Sequence, residues 1–144
     1  MKKPLIYLLL SLSIAAVLAA FTSISISDSI LDTIYTVSGV IFSVGMSITI
    51  SPKTDRVINE KIKQSIRASY IRVRNSFFIL FGFSTILYII SGVVKIEKYP
   101  MFFFYFSSVF ILLSIAHYTY NFVRLQSLGE QIEDQVIKEI QTKR

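Results

Sequence analysis

The chain has no cysteine. Disulfides, thiolate metal sites and cysteine nucleophiles are therefore excluded. It has a single histidine, His117, which excludes His-rich metal sites. Charge is scarce as well. Asp, Glu, Lys and Arg make up 17% of the 144 residues, against 53% hydrophobic, and they come in clusters. There is no phosphate-binding Gly-rich loop, no paired-histidine metal motif and no G-x-S-x-G. With one histidine and no acid inside any apolar run, a membrane hydrolase has almost nothing to work with. The expectation is a non-enzyme without a cofactor.

What is present is apolar and continuous. Mean hydropathy is +0.60. Four runs carry no Asp, Glu, Lys or Arg: 4–27, 33–52, 75–94 and 99–123. Each is long enough for a helix crossing a hydrocarbon core, which takes about 20 apolar residues. Continuous apolarity is not the alternation of a barrel strand. The Lys2-Lys3 start and the small residues near Ala20 also fit a secretory signal peptide. The apolar run continues past that cleavage point through Phe21, Ile24 and Ile26, which favours an uncleaved span. The predicted fold class is all-α: an integral membrane four-helix bundle. Residues 1–52 form one hairpin, with spans near 4–26 and 31–51. Residues 53–144 hold a basic helix, spans near 75–94 and 99–123, and an amphipathic tail.

Basic residues set the orientation. Lys and Arg number two before the first run, none at 28–32, seven at 53–74, two at 95–98 and four at 124–144. Placing both termini and the 53–74 segment inside puts 13 of the 15 in the cytoplasm. The predicted location is a bacterial inner membrane, multi-pass, with both termini cytoplasmic. The net charge of +6 then reflects retained basic loops, and direct nucleic-acid binding is not expected.

The 53–74 segment reads as the cytoplasmic start of a helix continuing to about residue 94. Ile58, Ile62, Ile66, Ser69 and Val73 recur on one face. The tail carries Leu125, Leu128, Ile132, Val136 and Ile140 at spacings of three and four. Gly129 interrupts it and marks a candidate bend. These two extensions should run antiparallel, pack through their apolar stripes, and set Lys63 and Arg67 against Glu130 to Asp134. Arg67, Arg72 and Arg74 would meet anionic lipid headgroups. The distal ends, with Lys53, Arg56, Glu60, Lys61, Val136 and Ile140, are candidate docking residues for a soluble cytoplasmic partner.

Inside the runs, small residues recur at steps of four. Ser11, Ala15, Ala19 and Ser23 mark the first, and Gly39, Ser43 and Ser47 the second. Such faces let helices approach closely. They serve packing within the bundle, a homo-oligomer, or both. The aromatic run 101–106 reads as an interface belt. Ser114, His117 and Asn121 lie near one face of the fourth run, with His117 expected about 10 Å above its inner end. They form either a proton- or ion-responsive site or, on the plainer reading, a neutral histidine bonded to a neighbouring helix.

The whole chain resembles small four-span bacterial membrane proteins with a basic cytoplasmic hairpin. Through its KKPLIYLLL start, its extended 53–74 helix and its tail at 124–144 it is similar to the membrane subunits of the Kiwa anti-phage defence system. That resemblance implies a homo-oligomeric membrane sensor working with a soluble cytoplasmic effector. Colicin-type immunity proteins and conjugative exclusion proteins share the size and span number. They imply the alternative, a pore-forming or pore-blocking protein with Ser114, His117 and Asn121 on its axis.

Overall fold

Proline opens one helix. Pro100 is the first residue of the last described helix, where its missing N–H costs nothing. A computed structural model describes residues 2–21, 28–50, 60–93 and 100–142. All of them are helical, in α1 (Lys2–Phe21), α2 (Asp28–Ile50), α3 (Glu60–Val93) and α4 (Pro100–Thr142). Three helices carry stretches long and apolar enough to cross a membrane: Ser29–Ile50, Ile62–Gly92 and Met101–Asp134. The apolar part of α1, Leu5–Phe21, is shorter.

Two local expectations change. Residues 28–32, expected as an outer loop, are the opening turn of α2. Acidic residues there complement the positive end of the helix dipole. Gly129 causes no break, because α4 continues through it for 43 residues with no left-handed glycine. The start of the basic helix before Glu60 lies outside the described residues.

α4 is the central element. It packs on α1, α2 and α3; α2 also packs on α3, and α1 only grazes α3. Among the described residues α1 and α2 are not neighbours. Helices α3 and α4 run antiparallel, as their contacts show. Leu87 meets Ser107, Ser84 meets Ser114, Ser76 meets His117, and Ile66 meets Leu125. Each helix supplies at least one fully buried serine: Ser11, Ser38, Ser84, Ser107 and Ser114. Small side chains at such points let backbones close up where larger ones would hold them apart.

The core is aromatic. Phe77, Leu80, Phe110 and Tyr118 form its centre. A ladder of rings leads from it along α2 and α3. Phe77 meets Tyr118, Tyr118 meets Phe42, and Phe42 stacks on Phe81 with centroids 4.2 Å apart. Tyr35 continues the ladder and stacks on Tyr88, again at 4.2 Å. The 101–106 run is not simply an outward belt. Tyr105 and Phe106 turn inward onto Ala15 of α1, and Phe102 and Phe104 pack on that cluster. A helix turns about 100° per residue, so the five consecutive rings of Phe102 to Phe106 cannot all face one way.

Candidate functional site

His117 is the polar junction of the bundle. It is 5% exposed and bonded at both ring nitrogens. Its Nδ1 lies 2.9 Å from the Tyr7 hydroxyl of α1. Its Nε2 lies 2.8 Å from Ser76 Oγ of α3 and 3.0 Å from Asn121 Nδ2, one turn along α4. Asn121 Nδ2 also donates to the His117 carbonyl at 2.8 Å, so the amide nitrogen is fixed on this side. An amide nitrogen can only donate. Nε2 must therefore present its lone pair, which Asn121 and Ser76 share as donors. The ring proton sits on Nδ1 and is donated to Tyr7 Oη. The imidazole ties three helices together.

Ser114, expected beside His117, is buried one turn away but bonds elsewhere. Its hydroxyl donates to the Phe110 carbonyl at 2.9 Å and accepts from Ser84 at 3.4 Å. His117 itself lies six residues, about 9 Å of helical rise, before the end of the uncharged run at Val123. Its partner Ser76 lies two residues from Arg74, a rise of about 3 Å. The imidazole is thus near the level of Arg74 on α3. Sequence reasoning missed Tyr7 and Ser76. Tyr7 is the one polar side chain in its stretch of leucines. Nothing distinguishes Ser76 from the other serines.

The second region is the seam between the α3 start and α4. Ile66, Tyr70 and Leu125 are buried together, with Ile48, Ile62, Val73, Leu128 and Ile132 packed around them. Ile62, Ile66 and Val73 of α3 therefore pack with Leu125, Leu128 and Ile132 of α4. The charges do not face across the seam. Lys63 Nζ pairs at 3.3 Å with Glu60 on its own helix. Geometry explains this: residues three apart on a helix are already neighbours. Arg67 and Arg72 are exposed and Arg74 is half-buried. Among the docking residues, Glu60 is exposed and Val136 half-buried. Lys53 and Arg56 lie outside the described residues, as do the side chains of Lys61 and Ile140. Glu130, Glu133 and Asp134 are exposed, and Ile137 is 53% exposed beside them.

The small-residue faces divide. Ser11 and Ala15 are fully buried, Ala19 is exposed, and Ser23 lies outside the described residues. Gly39 is half-buried. Ser43 and Ser47 are exposed and donate to carbonyls of their own helix. The tightest approach falls at a glycine outside that pattern. A Cβ at Gly45 would collide with the ring of Phe77. No family model, curated protein or solved structure matches this chain.

Proposed function

We propose that this chain is a non-enzymatic, multi-pass scaffold or sensor of the bacterial inner membrane. It has both termini in the cytoplasm, assembles with copies of itself, and recruits a soluble cytoplasmic partner. One observation carries the reading. α4 passes without interruption from the packed aromatic core into a polar extension ending at Thr142. Along and beyond the seam that extension presents Glu130, Glu133, Asp134 and the exposed Ile137. An apolar side chain among acids suits a partner surface that is basic around a hydrophobic pocket. The exposed Arg67 and Arg72 provide lipid contacts at about 1 kcal/mol per basic residue. Anti-phage defence is the setting that the Kiwa resemblance implies. The pore alternative is less well served, because Phe77, Phe110 and Tyr118 pack the interior where Ser114, His117 and Asn121 would line an axis.

The expected outcome is that full-length protein, purified in mild detergent, carries a soluble cytoplasmic protein. Charge reversal at Glu130, Glu133 and Asp134 together should release it. If nothing soluble copurifies, and truncation after Val123 leaves phage protection intact, the scaffold reading is wrong.

A further inference from the structure

α3 presents a face that no other described helix covers. Gln64, Ala68, Ile71, Asn75, Phe78 and Gly82 are all exposed. They follow one another at steps of four, three, four, three and four. A repeat of about 3.5 residues is the seam along which two helices coil around each other. The next position, Thr85, turns onto Tyr35 of α2. The stripe therefore ends at Gly82, about 12 Å past Arg74 and near the middle of a bilayer.

Lipid alone accounts poorly for this face, because acyl chains ask only for apolar surface. Asn75 stands in the uncharged run, next to Ser76 and at the level of His117. It is exposed, and its side-chain amide makes no hydrogen bond among the described residues. An amide without a partner is costly in an apolar medium. A Cβ at Gly82 would meet nothing within 4 Å, so no contact inside the chain accounts for a glycine in the helix interior. Both features suit a second copy. Copies share one orientation in the membrane, so a twofold axis along the bilayer normal sets each residue of α3 level with its counterpart. An amide carries both donor and acceptor, so Asn75 can bond to Asn75. A polar residue in such a seam fixes its register. Glycine at mid-bilayer lets the two backbones close up.

One pair opposes the arrangement. In a parallel coil Arg67, on one flank of the stripe, stands against Arg72 of the second copy. Both arginines are exposed, and neither is paired with an acid among the described residues. Two guanidinium groups can share a site only with an anion between them. At the headgroup level a lipid phosphate supplies it. We propose that two copies pair in parallel along Gln64 to Gly82 of α3, with anionic lipid phosphate between Arg67 and Arg72. The inference deepens the self-assembly proposed above. It rests on the membrane placement and on no soluble partner.

The absence of native cysteine allows a test in the full chain. In vesicles of phosphatidylcholine and phosphatidylglycerol, mild oxidation should join two copies of Ile71→Cys, and likewise two of Phe78→Cys. Phe83→Cys, about 100° around α3 from Gly82, and Val40→Cys on α2 are equally exposed and should not link. Adding Asn75→Leu to Phe78→Cys should lower its cross-linking about three- to tenfold, the factor for one interhelical hydrogen bond in a membrane. Adding Thr36→Val, on the exposed face of α2, should leave it unchanged. Vesicles of phosphatidylcholine alone should lower it. Equal cross-linking at all four positions, or none at 71 and 78, overturns the pairing. Undiminished cross-linking with Asn75→Leu also overturns it, and undiminished cross-linking in phosphatidylcholine overturns the phosphate bridge. If 71 and 78 do not link while an amine-reactive reagent still joins copies in the vesicles, self-assembly stands and uses another face. If no reagent joins copies, self-assembly falls as well.

Discussion

At Gly45 the backbone of α2 meets the ring of Phe77, which is fully buried and packed on Tyr118. That ring has no open side into which to move. Gly45→Ala should lower the thermal unfolding midpoint, at a cost of about 1–3 kcal/mol for overpacking. Tyr118 should respond in the opposite sense. Its hydroxyl is buried and has no hydrogen-bond partner among the described residues. Such a group carries a desolvation cost, so Tyr118→Phe should stabilise by about 1 kcal/mol. Both variants can be read by thermal unfolding in the same detergent. An equal fall in both would mean that the packing of Phe77 and Tyr118 is misassigned. Neither residue stands out in the sequence. Spacing finds small residues at steps of four, and Gly45 is off that register. His117 was legible because it is the one histidine, set in an uncharged run. Its partners were not, since bonds to Tyr7 and Ser76 depend on how three helices dock.

The elements themselves were largely legible. Long uncharged runs locate the helices, because a run without breakers has no cause to leave the helix. The α3–α4 seam was legible as matching apolar stripes. Its charges were misread because a charge can pair along its own helix as easily as across to another. This sets an ordering of effects. Leu125 is 2% exposed between Ile66 and Tyr70. Leu125→Ala should cost about 2–5 kcal/mol of local stability. It should appear as faster amide exchange over 60–70 and 125–132. Glu60→Gln breaks the Lys63 pair, an exposed i,i+3 contact worth at most about 0.5 kcal/mol. It should leave exchange over those segments unchanged. A larger effect of Glu60→Gln than of Leu125→Ala would mean that charge, not burial, holds the seam.

At the scale of the molecule, α4 is too long for a bilayer alone. Its 43 residues span about 64 Å, against a hydrocarbon core of about 30 Å. Roughly half must project, and charge decides which half. From Arg124 onward the helix carries Glu130, Glu133 and Asp134, while the part before it is uncharged. The antiparallel register places Arg67, Arg72 and Arg74 of α3 at the level where that change occurs. In the orientation proposed above, this collar of arginines around the base of the projecting helix faces the cytoplasm, where basic residues are retained. The opposite end carries Asp32, which accepts a hydrogen bond from Tyr88 at 2.9 Å. Ser29 opens that end of α2 and is exposed, as is Glu133 on the projecting helix. Single cysteines at these two positions should therefore behave oppositely toward an impermeant maleimide. Ser29→Cys should label in intact spheroplasts, and Glu133→Cys only once the membrane is permeabilised. The reverse pattern would invert the molecule, moving the acidic face of α4 outside and ending any role for it in recruiting a cytoplasmic protein.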